Sequence, residues 1–206
     1  MAERDQQQKG NYHVGLIPGL ESVFACVGDD PEREGLAGTP ERWIRAVTEM
    51  CDGYGQDPAQ ILSTQFESEK YDQMIIVRDV EFTSLCEHHL LPFAGVATVG
   101  YIPGFRDEPG KEYGKWKVVG LSKLARLVMC FAHRLQIQER MTAEIAESLH
   151  THVDTEGAGC LVKAVHSCMA CRGVRVSADM ITSHVVGSFR SDPMVRAEFL
   201  QLARPA

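Results

Sequence analysis

The chain has 206 residues and a formal net charge of −7, from 21 Lys and Arg residues against 28 Asp and Glu residues. Hydrophobic residues make up 44% and charged residues 24% of the sequence, which is typical of a globular protein and excludes a disordered or fibrous chain. The acidic balance argues against nucleic acid or an anionic membrane as partner, and no apolar stretch approaches the roughly 20 residues that cross a bilayer.

Seven cysteines are present, and the first residues of the chain are polar. We expect no secretory signal peptide there, because such a signal needs an apolar segment. An odd number of cysteines without an export signal is typical of a reducing, cytoplasmic setting, in which thiols are free or bound to metal.

Residues 1–60 are predicted to form a helical arm. A short amphipathic helix is expected over residues 20–27, and a clearer helix is expected to begin at Thr39-Pro40. Thr39 suits the N-cap, and Pro40 suits the first helical position, where a missing N–H group costs nothing. This helix is expected to end at Asp52-Gly53, before a cluster of turn residues.

Residues 61–206 are predicted to form an α+β domain. The expected elements are strands over 74–82 and 95–102, helices over 121–135 and 137–149, strands over 160–165 and 173–178, and a last helix over 192–202. This order predicts an antiparallel sheet with two helices on one face. The polar segment 103–117 is expected to be a loop, of a length typical of functional or mobile loops.

Two clusters of cysteine and histidine lie in turns between predicted strands. The first is CEHH at residues 86–89 and the second is HSCMAC at residues 166–171. Sulfur and imidazole nitrogen suit a soft ion such as Zn²⁺, and three protein ligands would leave a fourth position open for water. Alternatively, these cysteines are small buried residues and the histidines are ordinary core residues. The spacing alone leaves open whether His88 or His89 binds and whether Cys171 is a fourth ligand.

Two further groups of side chains suit a nucleotide. Ser122, Lys123 and Arg126 lie at the start of a predicted helix, where free N–H groups and cationic side chains together suit a phosphate. Gln138 and Glu139 place an amide beside a carboxylate, which can pair with the adjacent donors on the edge of guanine. In isolation, either group could equally be a solvated helix surface.

The segments SLCEHHLLPF, GLSKLARLV, QIQERMT and HSCMACRGV, in this order, resemble GTP cyclohydrolase I. The resemblance extends to TPERWIRAV and GYGQDP upstream and covers residues 20–203. It implies the tunnelling fold (T-fold), in which subunits pair antiparallel sheets edge to edge into a ring. Two rings stack into a toroidal homodecamer, and the active sites lie at subunit interfaces.

The resemblance also implies the reaction. GTP and water yield 7,8-dihydroneopterin triphosphate and formate through a zinc-activated water that attacks C8 of guanine, as the first step of pterin and folate or 7-deazapurine biosynthesis. The residues that match the family's motifs are Cys86, His89 and Cys168 as zinc ligands, His88 and His166 as proton-handling residues, Gln138 and Glu139 as the guanine-binding pair, and Ser122, Lys123, Arg126, Arg172 and Arg42 as triphosphate contacts. Cys171 is not expected to be a ligand, and the same ligand set also accepts Fe²⁺.

The sequence departs from the family pattern at two places, the long segment 103–117 and Trp43. Two alternative functions remain at this stage. The chain could instead be another T-fold enzyme that acts on a pterin or a deazapurine; a nitrile reductase of this kind would use a cysteine nucleophile and need no zinc. A zinc-stapled, non-catalytic module would close the metal site with Cys171 as a fourth ligand.

Overall fold

The computed structural model describes residues 15–68, 71–106 and 115–204. Residue contacts divide the chain into two compact units, one up to Met50 and the other from Cys51. The boundary expected at residue 60, between the helical arm and the following domain, stays a prediction. Within the second unit, the Gly53 N–H donates to the carbonyl of His133 at 3.0 Å. A Cβ at Gly53 would lie 2.3 Å from the carbonyl oxygen of Cys130, so the backbone around Gly53 packs directly against residues 130–133.

The described part of the first unit, residues 15–50, contains two helices. Helix α1 spans residues 15–26, somewhat more than the predicted range. Helix α2 spans Thr39–Met50 and begins where the Thr39-Pro40 signal predicted, with Pro40 and Ile44 buried.

All the strands of the described residues lie in the second unit. In chain order it has a 3₁₀ turn at Asp52–Gly55, α3 at Pro58–Leu62, β1 at Gln65–Ser68, β2 at Ile75–Cys86, β3 at Pro92–Pro103, β4 at Phe105–Arg106, β5 at Lys115–Val119, α4 at Leu121–Ala132, β6 at Leu135–Gln136, α5 at Gln138–His152, β7 at Thr155–His166, α6 at Ser167–Ala170, β8 at Asp179–Gly187, α7 at Ser188–Ser191 and α8 at Pro193–Leu202.

The main sheet has five strands in the order β6-β2-β3-β7-β8. Its neighbours run antiparallel except for the short parallel pair of β2 and β6. Alternate residues of β3 face one core together with α4 and α5, namely Phe93, Ala97, Val99 and Tyr101. Both long helices therefore cover the same face, and the prediction of an α+β fold with two helices on one face of a sheet is confirmed.

The opposite face is covered at one end by α7 and α8. Phe189 and Phe199 are fully buried there and pack against each other with ring centroids 5.2 Å apart. Gly100 and Gly159 make room for them, because a Cβ at either glycine would approach the Phe199 ring to 3.2 Å or less. Within the described residues, no helix has both the length and the apolar character that a membrane span requires.

Two predictions about the strands were wrong. Residues 173–178 form a turn and an extended segment, and the strand that pairs with β7 is β8. Gly173 and Arg175 both adopt positive φ, of 62° and 54°, which breaks a strand despite the alternating sequence. The ends of the predicted loop 103–117 are β4 and β5, which join β1 in a small sheet; residues 107–114 lie outside the described residues.

Candidate metal centre and active site

Three candidate metal ligands, two cysteines and one histidine, lie close together at one end of the main sheet. Cys86 is the last residue of β2, His89 lies in the turn to β3, and Cys168 lies in α6 directly after β7. Because β3 pairs with both β2 and β7, the two distant turns lie at the same end of these strands. One ligand atom from each of the three residues lies within 4.8 Å of the other two.

The turn from Cys86 to Leu91 points the first two ligands the same way. The carbonyl of Cys86 accepts hydrogen bonds from the N–H groups of His89 and Leu90, at 3.3 and 2.8 Å. Leu90 adopts a left-handed φ of 53°, which reverses the chain, and the Cys86 N–H donates to the Leu91 carbonyl at 2.9 Å. As a result, Nδ1 of His89 lies 3.7 Å from Sγ of Cys86.

The electrostatics of this cluster favour a cation. Burial raises the pKa of the Cys168 thiol, and the neighbouring Cys86 sulfur raises it further, while Arg172 acts in the opposite direction. A divalent ion between the two sulfurs would remove their mutual repulsion, so the donor set fits a soft ion such as Zn²⁺. Among the described residues, this group has three members, and the exposed Cys171 is not one of them.

Arg172 and His88 border the ligand His89. Nη2 of Arg172 lies 2.5 Å from Nε2 of His89. The structure therefore places this predicted triphosphate contact directly against the metal cluster. The His88 side chain is 64% exposed, and its ring stands edge to face with that of His89, with centroids 6.2 Å apart.

His166 is held by a buried glutamine. Nε2 of Gln138 lies 3.2 Å from the Val162 carbonyl and 3.0 Å from the Met180 carbonyl, and both of these atoms can only accept hydrogen bonds. The amide oxygen of Gln138 must therefore face His166, whose Nε2 lies 2.8 Å away. Because that oxygen only accepts, Nε2 of His166 carries the hydrogen, and Nδ1 is the other nitrogen of the neutral ring.

This arrangement separates Gln138 from Glu139. The Gln138 side chain is 1% exposed, and its amide is already hydrogen-bonded within the protein. It therefore has no group left to bind the guanine base. The pair was expected to present an amide and a carboxylate side by side, but the fold exposes only Glu139. Burial lowers the pKa of His166, and the negative charge of Glu139 partly offsets this shift.

The remaining cationic candidates belong to other elements of the chain. Ser122, Lys123 and Arg126 occupy the first turns of α4, whose N-cap Gly120 provides no side-chain hydrogen bond. In the described part of the chain, no hydrogen bond joins these three side chains to the metal cluster. Arg42 belongs to the first unit, where it donates to Oγ1 of Thr39 at 2.7 Å.

The contact between Arg140 and Glu87 was not predicted from the sequence. The guanidinium of Arg140 donates to the carboxylate of Glu87, and this contact lowers the pKa of Glu87 and raises that of Arg140. Both residues stand inside recognised motifs, CEHH and QER, but the two motifs are separated by 53 positions. No local pattern could have joined them.

Comparisons with known proteins agree with the resemblance. A sequence model of the GTP cyclohydrolase I family matches residues 18–204. GTP cyclohydrolase 1 of Wolinella succinogenes is 46% identical over 188 residues, which cover 91% of this chain and 95% of that protein. GTP cyclohydrolase 1 of Synechococcus sp. (strain JA-2-3B'a(2-13)) is 44% identical over 190 residues, covering 92% and 78%. GTP cyclohydrolase 1 of Nitrosospira multiformis is 45% identical over 185 residues, covering 89% and 91%.

Proposed function

The chain belongs to the GTP cyclohydrolase I family, and from this premise we propose that it converts GTP and water to 7,8-dihydroneopterin triphosphate and formate. The observation that carries the proposal is the cluster of Cys86, His89 and Cys168, with the fixed imidazole of His166 two residues before Cys168 in the chain. Three ligands leave a fourth coordination position for a reactant, as catalytic sites do and closed structural sites do not.

The metal we propose is Zn²⁺, held by two thiolates and one imidazole. When bound, it supplies Lewis-acid activation of a water molecule for attack at C8 of guanine. The same ligands accept Fe²⁺. Cys171 stands outside the ligand group, which argues against a closed, non-catalytic site.

His166 is proposed to move protons through its Nδ1 atom. Its Nε2–H is engaged by Gln138, so Nδ1 is the nitrogen left for exchange with substrate. Burial lowers the pKa of His166 and so favours the neutral ring, which can accept a proton at neutral pH. His88, exposed on the other side of the metal turn, is proposed as the second proton-handling residue.

The substrate contacts we propose follow from charge and exposure. The exposed Glu139 carboxylate would accept the N1–H and 2-amino hydrogens of guanine, with Gln138 acting behind it on His166. The triphosphate would be bound by Ser122, Lys123 and Arg126 at the start of α4, together with Arg172 and Arg42.

We further propose a toroidal homodecamer with active sites at subunit interfaces. Strand β8 is at one edge of the main sheet, and such an edge can pair with a neighbouring subunit. A neighbouring subunit could then supply the cationic first turn of α4 to this metal cluster. A cytoplasmic location is proposed because all seven cysteines are free.

The test is a direct assay of zinc-loaded protein with GTP. Formation of formate and of a fluorescent pterin after oxidation supports the function, and both should disappear with a chelator and return with zinc. A protein that holds one zinc ion per chain but releases neither product would contradict the proposal. A protein that remains free of metal would favour the alternative chemistry with a cysteine nucleophile.

A further inference from the structure

Arg140 and Glu87 join two parts of the site that come from distant segments. Glu87 stands between the ligand Cys86 and the proposed proton-handling His88, and Arg140 directly follows Glu139. The Glu87 side chain is 31% exposed and that of Arg140 is 40% exposed, so the ion pair is only partly screened by solvent.

Arg140 is fixed by more than its charge. Its guanidinium also donates from Nε to Oε1 of Gln136 at 3.0 Å and to the carbonyl of Leu135 at 2.9 Å. Three acceptors around one planar group define its orientation, in contrast to an isolated surface ion pair between two flexible side chains. Arg140 therefore reaches back from α5 and holds the short strand β6.

Gln136 is itself held rigidly. It is 1% exposed, and its Nε2 donates to Glu144 at 2.7 Å and to the Phe131 carbonyl at 3.2 Å. These contacts turn Oε1 toward Arg140. A continuous polar chain thus runs from Glu144 in α5 through Gln136 and Arg140 to Glu87.

The backbone follows the same route. Strand β6 pairs in parallel with the end of β2, with Cys86 opposite Gln136, and the Glu87 N–H donates to the Gln136 carbonyl at 3.0 Å. The metal turn is therefore tied to β6 by the main chain of Glu87, and the Arg140–Glu87 contact adds a second tie through the side chain of the same residue.

We propose that Glu87 and Arg140 are positioning residues for this reaction, and that their ion pair fixes the metal-binding turn relative to the base-reading carboxylate of Glu139. This inference rests on the proposed function. Guanine bound at Glu139 presents C8 to the metal only if the two segments keep their separation. A misplacement of about 1 Å in such a geometry can lower the rate about 10²-fold.

The test uses the full-length, zinc-loaded protein with Glu87→Gln, Arg140→Gln and the double variant. The matched control is Arg33→Gln, which breaks an exposed Arg–Asp pair in the first unit. We expect each single variant to lower kcat per zinc-loaded chain about 10²-fold. KM for GTP and the zinc content should stay within about twofold, because the contacts that bind GTP and metal remain. The kcat of the double variant should be no lower than that of the less active single variant, because all three variants lose the same contact.

A purely structural role would give a different result. Melting temperature and zinc content would fall, while kcat per zinc-loaded chain would stay within about twofold of the unmodified protein. That outcome, or losses that add fully in the double variant, overturns the proposal. Arg140→Lys keeps the charge but not the planar fork, so it should recover only part of kcat. If Arg140→Gln fails to fold, Arg140→Lys and Glu87→Gln carry the test.

A second readout does not depend on activity. Hydrogen–deuterium exchange of the metal turn, residues 84–91, should accelerate in Glu87→Gln and Arg140→Gln and remain unchanged in Arg33→Gln. If the unmodified protein makes no pterin from GTP, the proposed function fails. The exchange rate of residues 84–91 then still decides whether the Arg140–Glu87 pair fixes the metal turn. Unchanged exchange in both variants overturns the positioning role.

Discussion

The imidazole of His166 lies flat against the phenyl ring of Phe93, with ring centroids 4.5 Å apart and planes 3° from parallel. The two residues are direct partners in the pairing of β3 with β7. The stack fixes the plane of the imidazole, and the hydrogen bond from Nε2 to Gln138 fixes its rotation within that plane. His166 is therefore held in one orientation by neighbours that need not touch substrate.

Replacing Gln138 tests this orientation. Gln138→Met keeps the volume of the side chain but removes the acceptor for His166 and the donor to the Val162 and Met180 carbonyls. We expect kcat to fall about 10²-fold, the lower end of what general acid–base catalysis contributes, while zinc remains bound. The measurement is pterin formation per zinc-loaded chain. Gln60→Met, at an exposed glutamine of α3, is the control. Unchanged turnover in Gln138→Met would show that His166 needs no partner.

The two cysteines of the second cluster should behave differently. Cys168→Ser removes one of three ligands and should abolish both zinc binding and GTP turnover. Cys171→Ser should keep both, because this exposed thiol stands outside the ligand group. Zinc per chain, measured by atomic absorption together with pterin formation, decides the matter. Loss of zinc from Cys171→Ser would indicate a closed site with four ligands.

Glu139 should determine affinity for the base. Glu139→Gln replaces one carboxylate oxygen by a donor that faces the donors of guanine, so the Kd for GTP should rise. Hydrogen bonds to a charged group contribute about 1.5–3 kcal/mol, which corresponds to a rise of about tenfold or more. Equilibrium dialysis against GTP and ITP provides the measurement, because ITP lacks the 2-amino group.

Zinc content of Glu139→Gln should equal that of the unmodified protein, since the carboxylate is not among the proposed ligands. The preference for GTP over ITP should also shrink in this variant. Normal affinity and normal preference together would exclude Glu139 as the residue that reads the base.

The three residues that the structure brings together as candidate metal ligands could be singled out from the sequence because they lie in local motifs. Cys86 and His89 share one turn, and each ligand cluster follows a strand that β-branched residues make recognisable. The hydrogen bond from His166 to Gln138 spans 28 positions, and the contact between Arg140 and Glu87 spans 53. Such pairs depend on how α5 and β6 pack on the sheet, which no local spacing encodes.

The mistaken strand at residues 173–178 has a similar origin. The alternating sequence GVRVSA satisfies the strand pattern, yet Val174 and Val176 are 71% and 52% exposed. The chain places the strand later because residues 179–187 can pair with most of β7, from Asp179 opposite Val165 to Gly187 opposite Gly157. Pairing over a whole strand outweighed a short local pattern.

The buried hydroxyl of Tyr101 should make the free energy of unfolding depend on pH in the alkaline range. Its ring is fully buried in the core, its oxygen accepts the Val119 N–H at 2.9 Å, and burial raises the pKa of its hydroxyl. The unfolded chain ionises near the ordinary tyrosine pKa of about 10, whereas the folded protein resists ionisation. Its contribution to stability is therefore complete below pH 10 and is lost as the pH rises through the raised pKa of the folded state.

Tyr101→Phe should lower the free energy of unfolding at pH 8 by about 1–3 kcal/mol, because the Val119 N–H is left buried without an acceptor. Above pH 10 the variant should lose less stability than the unmodified protein, and urea unfolding at several pH values measures both effects. Tyr54→Phe is the matched control, since the Tyr54 hydroxyl also accepts a backbone N–H, that of Leu135, but its side chain is exposed. Equal losses in the two variants, with the same dependence on pH, would mean that burial of Tyr101 does not govern the alkaline limit.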